Sequence, residues 1–475
     1  MLLSSTLAAA ALAIVAQDQV VLRAAPRDSA QQQTILSQGD SLEVRGEKMD
    51  FLQVYDHRRE RSGYVRASQV RQTTLSASEA PELLAVARFV RDTPGTEAMG
   101  IAFVAAYLKA APATAIDAEP FDILGTLADR LARRASGASK AQEVLLSAQV
   151  DTARHYGIGF IDIERDGRVR LCYEGEAFRR VLALSKQDVQ RAHAALAITR
   201  SDCIDPTLLP SKRQAVDHWR AEVLDRVDIS KLPEYLKNRI HARRASVWAS
   251  LAFHEAKQGT ATVDGIATNT AAQRALDALA AVNKAELSED DQSAYAEAAI
   301  RVGTVRWGAQ TGMRPVGRLT LRAAAGENGQ TCLSVATTPA TASAQPLRCT
   351  YGVVWPQSLS VNAAGNIATL AVQPLDGWRE MWVLRRSESG WTVDVLPPSG
   401  NAPDLGYVEF AGWVPGGTQM LVAREVRQDG RMRRSFETVR LDSLLTDKKA
   451  EQPSSLSTFY RWQDAQWKKL TVSLR

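Results

Sequence analysis

The spacing of hydrophobic residues changes twice along the chain and divides it into three regions. In residues 20–71, apolar and polar positions alternate between turns rich in Gly, Asp and Pro, a pattern typical of short β-strands. Residues 76–306 instead place apolar residues at helical spacing, as in ELLAVARFV (82–90), ILGTLADRL (123–131) and RALDALAAV (274–282). From residue 316 onward the alternation returns. These patterns predict a multi-domain α+β protein with domains at 17–72, 73–310 and 311–475.

Four segments of the first region occur in a recognisable order: VLRAAP (21–26), LSQGDSLEV (36–44), FLQV (51–54) and SGYVRASQV (62–70). Together they resemble the bacterial SH3 (SH3b) domain, although that family usually has Trp where Phe51 and Tyr64 stand. The resemblance implies a five-stranded SH3-like β-barrel over residues 17–72 that binds peptides or cell-wall material. Phe51, Tyr55 and Tyr64 could line an aromatic peptide groove. The alternative for Phe51 and Tyr64 is a place in the barrel core.

The predicted barrel is followed by a polar stretch at residues 72–78, so we expect it to fold independently. The second region, 73–310, is predicted to be α-helical with one β-hairpin, because GFIDIERDGRVRLCY (159–173) alternates around an Asp-Gly turn. Residues 272–299 resemble a helix–turn–helix of the tetratricopeptide (TPR) type, without a clear second copy at a period of about 34 residues. The region is therefore interpreted as TPR-like.

The third region contains an apparent repeat. LSVNAAGNIATLAV (359–372) and FAGWVPGGTQMLVA (410–423) both predict a strand, a tight Gly turn and a strand, and GQTCLSV (329–335) is a candidate third copy. The second copy resembles the blade motif of TolB-like propeller repeats. Because residues 311–475 hold too few blades to close a ring, the prediction is a partial propeller or a β-sandwich. We expect helices between residues 231 and 302 to cover its exposed sheet surface, and the alternative is that a partner protein covers it.

The N-terminal residues and the cysteines indicate the cellular compartment of the protein. Residues 7–16 (LAAAALAIVA) fit the apolar core of a signal peptide, which predicts a signal at residues 1–16 and cleavage before Gln17. The alternative is a buried first strand or helix. The four cysteines predict two disulfides, Cys172–Cys203 and Cys332–Cys349, and hence a periplasmic or secreted protein. The alternative is four buried free thiols in the cytosol.

Composition and charge narrow the functional classes. The 475 residues are 45% hydrophobic and 23% charged, which excludes wholesale disorder and a polytopic membrane protein. We expect no transmembrane segment in the mature chain. The net charge is only +5 and the basic residues are scattered, which argues against nucleic acid as a partner.

Motifs for nucleotide-binding loops, serine hydrolases, zinc proteases and EF-hands are absent from the sequence. His254 and Glu255 begin a zinc-protease pattern, but Gln258 stands where the second ligand would be, so no metal or cofactor is expected. A dense polar cluster could supply a general acid and base as in glycosidases, or could be a solvated hairpin. Its members are Asp151, His155, Tyr156, Asp162, Glu164, Asp166, Tyr173, Glu174 and Glu176.

Aromatic residues recur near the C-terminus, where Tyr460, Trp462 and Trp467 flank a short turn. They could stack on a ligand, or they could cover the core of a closing hairpin. The predicted function is a non-catalytic secreted or periplasmic scaffold or binding protein of the cell envelope. Its expected partner is an envelope protein or a peptidoglycan-derived peptide. The alternative function is an envelope hydrolase that uses carboxylates of the central domain.

Overall fold

The computed structural model describes residues 11–165, 167–259, 270–310, 319–337, 346–400 and 402–470. The fold is mixed α+β, with an antiparallel sheet first, helices in the middle and a sheet at the end, which confirms the predicted order of structure types. The chain divides into two units, residues 1–208 and 209–475. The domain boundaries predicted near residues 72 and 310 therefore lie inside these units.

A seven-stranded antiparallel sheet begins the first unit. Its strands are β1 (Leu12–Val15), β2 (Val20–Arg23), β3 (Gln32–Leu36), β4 (Ser41–Lys48), β5 (Phe51–Asp56), β6 (Arg61–Arg66) and β7 (Val70–Thr73). The strand order is β3-β2-β6-β5-β4-β1-β7. Among the described strands these pairings form an open path with β3 and β7 at its ends. The five-stranded closed barrel predicted for residues 17–72 is thus corrected, because β1 and β7 extend the sheet.

Strand β1 occupies the apolar run that was interpreted as a signal peptide. Leu12–Val15 pairs with β4 on one side and with β7 on the other. Ala13 and Val15 lie in the core of the sheet, and Ile14 lies in the adjoining helical core. Cleavage before Gln17 would remove this shared neighbour of β4 and β7, which favours the alternative of a buried first strand for residues 12–15; the signal peptide at residues 1–16 stays a prediction. Residues 1–10 lie outside the described chain.

The rest of the first unit is mostly helical. It consists of α1 (Ala80–Arg91), α2 (Glu97–Ala110), α3 (Glu119–Ser136), α4 (Lys140–His155), β8 (Phe160–Arg165), β9 (Arg168–Tyr173), α5 (Glu176–Leu184) and α6 (Asp188–Ile198). The caps follow from the sequence: α4 starts at a Ser139/Gln142 capping box, and α3 ends before Gly137. The hairpin β8–β9 confirms the Asp-Gly prediction.

The N-terminal sheet is attached to the helices by polar as well as apolar contacts. The buried Asp40 accepts a hydrogen bond from Arg58 (3.1 Å), and its Oδ1 lies 3.0 Å from Thr152 Oγ1 on α4. Tyr156 donates its hydroxyl to the carbonyl of Gly39 at 2.7 Å. Gly39 has φ +86°, and a Cβ there would lie 2.5 Å from the carbonyl oxygen of Ala98 in α2. Gly39 and Asp40 therefore anchor the sheet to two helices.

The second unit combines four long helices with two sheets. Its elements are α7 (Pro210–Asp225), α8 (Glu234–Gln258), α9 (Thr270–Ala280), α10 (Glu289–Val305), β10 (Leu319–Ala325), β11 (Thr331–Thr337), β12 (Arg348–Thr350), β13 (Val353–Val361), β14 (Ile367–Leu375), β15 (Trp378–Ser387), β16 (Gly390–Leu396), β17 (Gly406–Trp413), β18 (Gln419–Gln428), β19 (Arg431–Arg440), β20 (Thr446–Ala450), α11 (Ser457–Trp462) and α12 (Ala465–Leu470). The helix–turn–helix expected at 272–299 is α9–α10; its TPR assignment stays a prediction.

The strands of this unit form three consecutive antiparallel groups. These are β10-β11-β12, β13-β14-β15-β16 and β17-β18-β19-β20, and the second and third groups join through a short parallel pairing of β15 with β17. The predicted strand–turn–strand segments fall on β13–β14 and β17–β18, and Gly365 and Gly417 take the positive φ that their turns need. The two strand–turn–strand segments are thus confirmed, whereas the repeat, the partial propeller and the sandwich stay predictions.

Helix α10 covers part of the large sheet. Ile300 belongs to the same buried cluster as Tyr407, Leu421 and Phe436. A Cβ on Gly303 would lie 2.5 Å from the Tyr407 ring, so the helix backbone approaches the sheet closely. The predicted covering of the C-terminal strands by a helix of the same chain is confirmed at this position.

A buried ion cluster lies beneath this helix. Glu409 on β17 is 3% exposed and accepts hydrogen bonds from Arg306 Nε (2.6 Å), from Arg379 and from Trp467 Nε1 (3.1 Å). Arg379 is fully buried on β15 and also donates to the carbonyl of Gly303. The Glu409 carboxylate therefore connects β15, β17, α12 and the turn that follows α10, and Arg379 adds a bond to α10 itself.

Both predicted disulfides are present. Cys172 is bonded to Cys203, and Cys332 is bonded to Cys349. The first links β9 to the turn after α6, and the second joins the paired strands β11 and β12. None of the helices in the described residues is both long and apolar enough to span a bilayer.

Candidate functional site

Three aromatic side chains of the predicted peptide groove lie on one face of the β5–β6 pair. In the antiparallel register Phe51 pairs with Arg66, Gln53 with Tyr64, and Tyr55 with Ser62. Because side chains alternate between the two faces of a strand, Phe51, Tyr55 and Tyr64 share a face. We call the surface formed by Phe51, Tyr55, Tyr64, Arg45 and Arg66 the aromatic face.

The opposite face of the same strands is apolar and fixes their position. Leu52, Val54 and Val65 are fully buried in the core of the sheet. The closing Gly of the SGYV segment is needed for this packing, since a Cβ on Gly63 would lie 2.7 Å from the Leu22 side chain. The alternation of the sequence therefore presents the aromatic residues on a rigid support.

Around Tyr55, charged groups hold each other in place. A bulge in β4 between Val44 and Gly46 presents Arg45, whose guanidinium carbon lies 4.1 Å from the centroid of the Tyr55 ring. Glu43 accepts hydrogen bonds from Arg45, and its Oε2 lies 2.7 Å from His57 Nε2. These hydrogen bonds lower the pKa of the Glu43 carboxyl. Tyr55 is half-buried, so part of its ring stays accessible beside the arginine.

Phe51 is almost covered. The guanidinium carbon of Arg66 lies 5.1 Å from the centroid of its ring, and Phe51 is 5% exposed. Asp28, from the loop after β2, holds Arg66 in place through two hydrogen bonds, which lower the pKa of the Asp28 carboxyl and raise that of the Arg66 guanidinium. The accessible aromatic groups of this surface are therefore Tyr55 and Tyr64, and Phe51 forms its floor beneath Arg66.

The aromatic face offers flat apolar rings, fixed cations and hydroxyl donors side by side. Tyrosine rings flanked by arginines bind extended peptides, because the rings pack on side chains or proline rings and the polar groups bond to carbonyls.

The C-terminal aromatic residues do not form a matching surface. Residues 457–470 form two short helices, α11 and α12, and not the hairpin considered from the sequence. Trp467 is buried, stacks edge-on with Phe459 and donates to Glu409. Tyr460 is 62% exposed and Trp462 is 38% exposed with Arg461 over its ring. Of these three predicted ligand-binding residues, Trp467 belongs to the core, and Tyr460 and Trp462 remain accessible.

The polar residues considered for the hydrolase alternative include exposed carboxylates and two tyrosines that already make other hydrogen bonds. The carboxylates Asp151, Asp162, Glu164, Glu174 and Glu176 are all exposed, and Asp166 lies outside the described residues. Tyr156 is bonded to Gly39, and Tyr173 accepts a hydrogen bond from the amide of Ala177. Burial raises the pKa of each tyrosine to about 12. The two phenols therefore serve packing, while the carboxylates face water.

We also searched the described histidines, cysteines and carboxylates for a second candidate site. Burial lowers the pKa of His241 and of His254, which favours their neutral forms. Across the residues that the structure describes, no group of three or more His, Cys, Asp or Glu side chains is arranged to hold a metal ion.

The aromatic residues of the aromatic face were predicted from the sequence, but the charged residues that hold its arginines in place were not. Gly46, which follows Arg45 inside a strand pattern, is a local signal that indicates a β-bulge. The Asp28–Arg66 pairing spans 38 positions and has no local signal. Comparisons of this chain with protein-family models, with curated proteins and with solved structures give no match.

Proposed function

We propose that this protein is a non-catalytic, exported binding protein of the cell envelope that captures an extended peptide on the aromatic face. The partner would be an envelope protein or a peptide derived from peptidoglycan. The observation that carries the proposal is the register of β5 and β6, which brings Phe51, Tyr55 and Tyr64 together beside Arg45 and Arg66.

The fixed geometry of the face supports affinity. Arg45 is held by Glu43, and Arg66 is held by Asp28, so the side chains that would touch a peptide are already ordered before binding. Ordering a long side chain on binding costs roughly 0.5–1.5 kcal/mol, and this cost is reduced when the side chain is held beforehand. A peptide would therefore gain contacts with the two tyrosines without immobilising their neighbours.

The two disulfides support export. Structural disulfides persist in oxidising compartments such as the periplasm, and both pairs here close loops within one unit. An exported protein with an aromatic peptide-binding face and with solvent-exposed carboxylates on its hairpin fits a binding role at the envelope better than hydrolysis.

The test is binding of the full-length protein to two probes, a proline-rich peptide and the soluble stem tetrapeptide of peptidoglycan. We expect at least one probe to bind and Tyr55→Ala or Tyr64→Ala to weaken it about tenfold, the effect of losing a binding hot spot of about 1.4 kcal/mol. Tyr351→Ala is the control, because Tyr351 is 57% exposed and lies in the other unit. Calorimetry gives the affinities.

Binding of neither probe, or equal weakening by the Tyr351 variant, would refute the aromatic face as the site. Mass spectrometry of the probes after incubation tests the hydrolase alternative. Cleavage that is lost in Asp162→Asn and Glu174→Gln, and kept in Tyr55→Ala, would replace binding by catalysis as the function.

A further inference from the structure

Strands β18, β19 and β20 form a second charged surface, in the second unit. An open cleft of about 740 Å³ lies on one face of these strands, and the loop at 397–400 forms its rim. In the register of β18 and β19, Gln428 pairs with Arg431, Val426 with Arg433, and Arg424 with Ser435. These residues therefore share a face. We call this surface, with Lys449 of β20, the arginine cleft.

One end of the arginine cleft is electrically balanced. Glu437 is 3% exposed and accepts hydrogen bonds from Arg424 Nε (3.0 Å) and Ser435 Oγ (2.8 Å), and Lys449 Nζ lies 3.7 Å away. Burial would raise the pKa of Glu437, but the attraction of Arg424 and the hydrogen bonds outweigh burial and hold it below its usual range. The Glu437 carboxylate is thus paired with residues of the cleft itself.

The other end carries exposed positive charge, and one further carboxylate, that of the exposed Glu451, also lines the cleft. Arg431 and Arg433 are exposed, and neither guanidinium makes an ion pair or hydrogen bond with another residue in the described part of the chain. Beside Arg433, on the neighbouring strand β18, lies its cross-strand partner Val426, which is 7% exposed and gives the cleft an apolar floor. A cleft with free guanidinium groups over an apolar floor is suited to a ligand that alternates carboxylates with apolar groups.

The spacing of the two arginines indicates the form of that ligand. Residues two apart on a strand are separated by about 7 Å. An extended peptide has the same repeat, so acidic residues at every second position would meet Arg431 and Arg433 in turn, while the residues between them face away or touch Val426. Small anions would contact one arginine at a time.

We propose that the arginine cleft binds an extended acidic peptide segment of a partner protein, with acidic side chains at alternate positions. This site is separate from the aromatic face and does not depend on it. Guanidinium groups pair with carboxylates through two parallel hydrogen bonds, which favours arginine over lysine at such positions.

The experiment uses the full-length protein and two synthetic peptides of identical composition. One has glutamate alternating with valine, and the other has its glutamates adjacent. Calorimetry should show tighter binding of the alternating peptide, weakened by added salt. Arg431→Gln combined with Arg433→Gln should weaken it about tenfold, because two exposed ion pairs together contribute up to about 1.4 kcal/mol. Arg386→Gln removes one positive charge from an exposed position on β15; it is the matched control for Arg433→Gln alone and should leave binding unchanged.

Three results would overturn the proposal: equal affinity for the two peptides, no effect of the double variant, or tighter binding of a sulfated polysaccharide or an oligothymidine that displaces the peptide. Should the double variant unfold at lower denaturant concentration than the wild type, Arg433→Gln alone is measured. A loss of about threefold then supports the cleft, and an unchanged affinity refutes it.

Discussion

Replacing Glu409 by glutamine tests whether the buried ion cluster stabilises the second unit. Glu409 is the shared acceptor of Arg306, Arg379 and Trp467, and both arginines are at most 2% exposed. Glu409→Gln keeps the shape of the side chain, but it leaves two buried guanidinium groups without their counter-charge and places an amide donor against one of them. Removing one partner of a buried ion pair costs about 3–5 kcal/mol, and we expect a loss near the middle of that range.

The assay is denaturant unfolding of the full-length protein, followed by tryptophan fluorescence and backbone circular dichroism. The free energy of unfolding of the second unit should fall by about 4 kcal/mol, and any transition that belongs to the first unit should not move. Glu388→Gln is the matched control, because Glu388 lies in the exposed turn between β15 and β16. This control should stay within about 0.5 kcal/mol of the wild type.

The pH dependence gives an independent check. Burial alone would raise the pKa of Glu409, but attraction to Arg306 and Arg379 outweighs burial and lowers it below the ordinary value of 4.5. A carboxyl whose pKa is lower in the folded state contributes stability that is complete above its unfolded pKa and is lost as the pH falls through its folded pKa. The difference between wild type and Glu409→Gln should therefore be constant at neutral pH and narrow below pH 4.5.

A loss of less than about 1 kcal/mol at neutral pH would refute this reasoning, because it would mean that the two arginines find compensation without the carboxylate. A difference that widens on acidification would refute the assigned direction of the pKa shift.

Two further predictions concern the first unit. Intact-mass measurement of the exported protein should show an N-terminus at or before Ala11. A chain that begins at Gln17 should unfold at lower denaturant concentration, because β4 and β7 lose their pairing with β1. An exported protein that begins at Gln17 and has unchanged stability would contradict this role of β1. Replacing Cys172 and Cys203 together by serine should lower the free energy of unfolding of the first unit by about 4 kcal/mol, the value expected for a loop of this length. A reductant should destabilise the first unit of the wild type equally and leave that of the variant unchanged, because the other disulfide, Cys332–Cys349, lies in the second unit.

Local patterns predicted the elements of this fold well. The alternation in residues 51–54 and 62–70 gave the strands that carry the aromatic face, and the Asp-Gly pair gave the hairpin β8–β9. These signals are local because strand alternation and turn chemistry depend on neighbouring residues. The disulfide pairing followed from sequence proximity for the same reason.

Prediction from the sequence was weakest where the structure depends on contacts between residues that are far apart in the chain. A short apolar run suits both a signal peptide and a buried strand, and only the pairing of Leu12–Val15 with β4 and β7 distinguishes them. For Trp467 the sequence left a ligand-binding role and a core role open, and its hydrogen bond to Glu409, 58 positions earlier, places it in the core. The arginine cleft escaped notice since its charge arises from register between strands, while the basic residues look scattered along the sequence.

The anchoring of the N-terminal sheet through Gly39 and Asp40 bears on how such a chain can be recombined. A cassette that carries residues 17–72 into another protein would bring a buried carboxylate without Thr152 and a glycine carbonyl without Tyr156. It would also leave behind strand β1. Gene fusions that preserve the sheet should therefore be joined after residue 208, where the first unit ends, and not in the polar stretch at 72–78 that the sequence suggests as a linker.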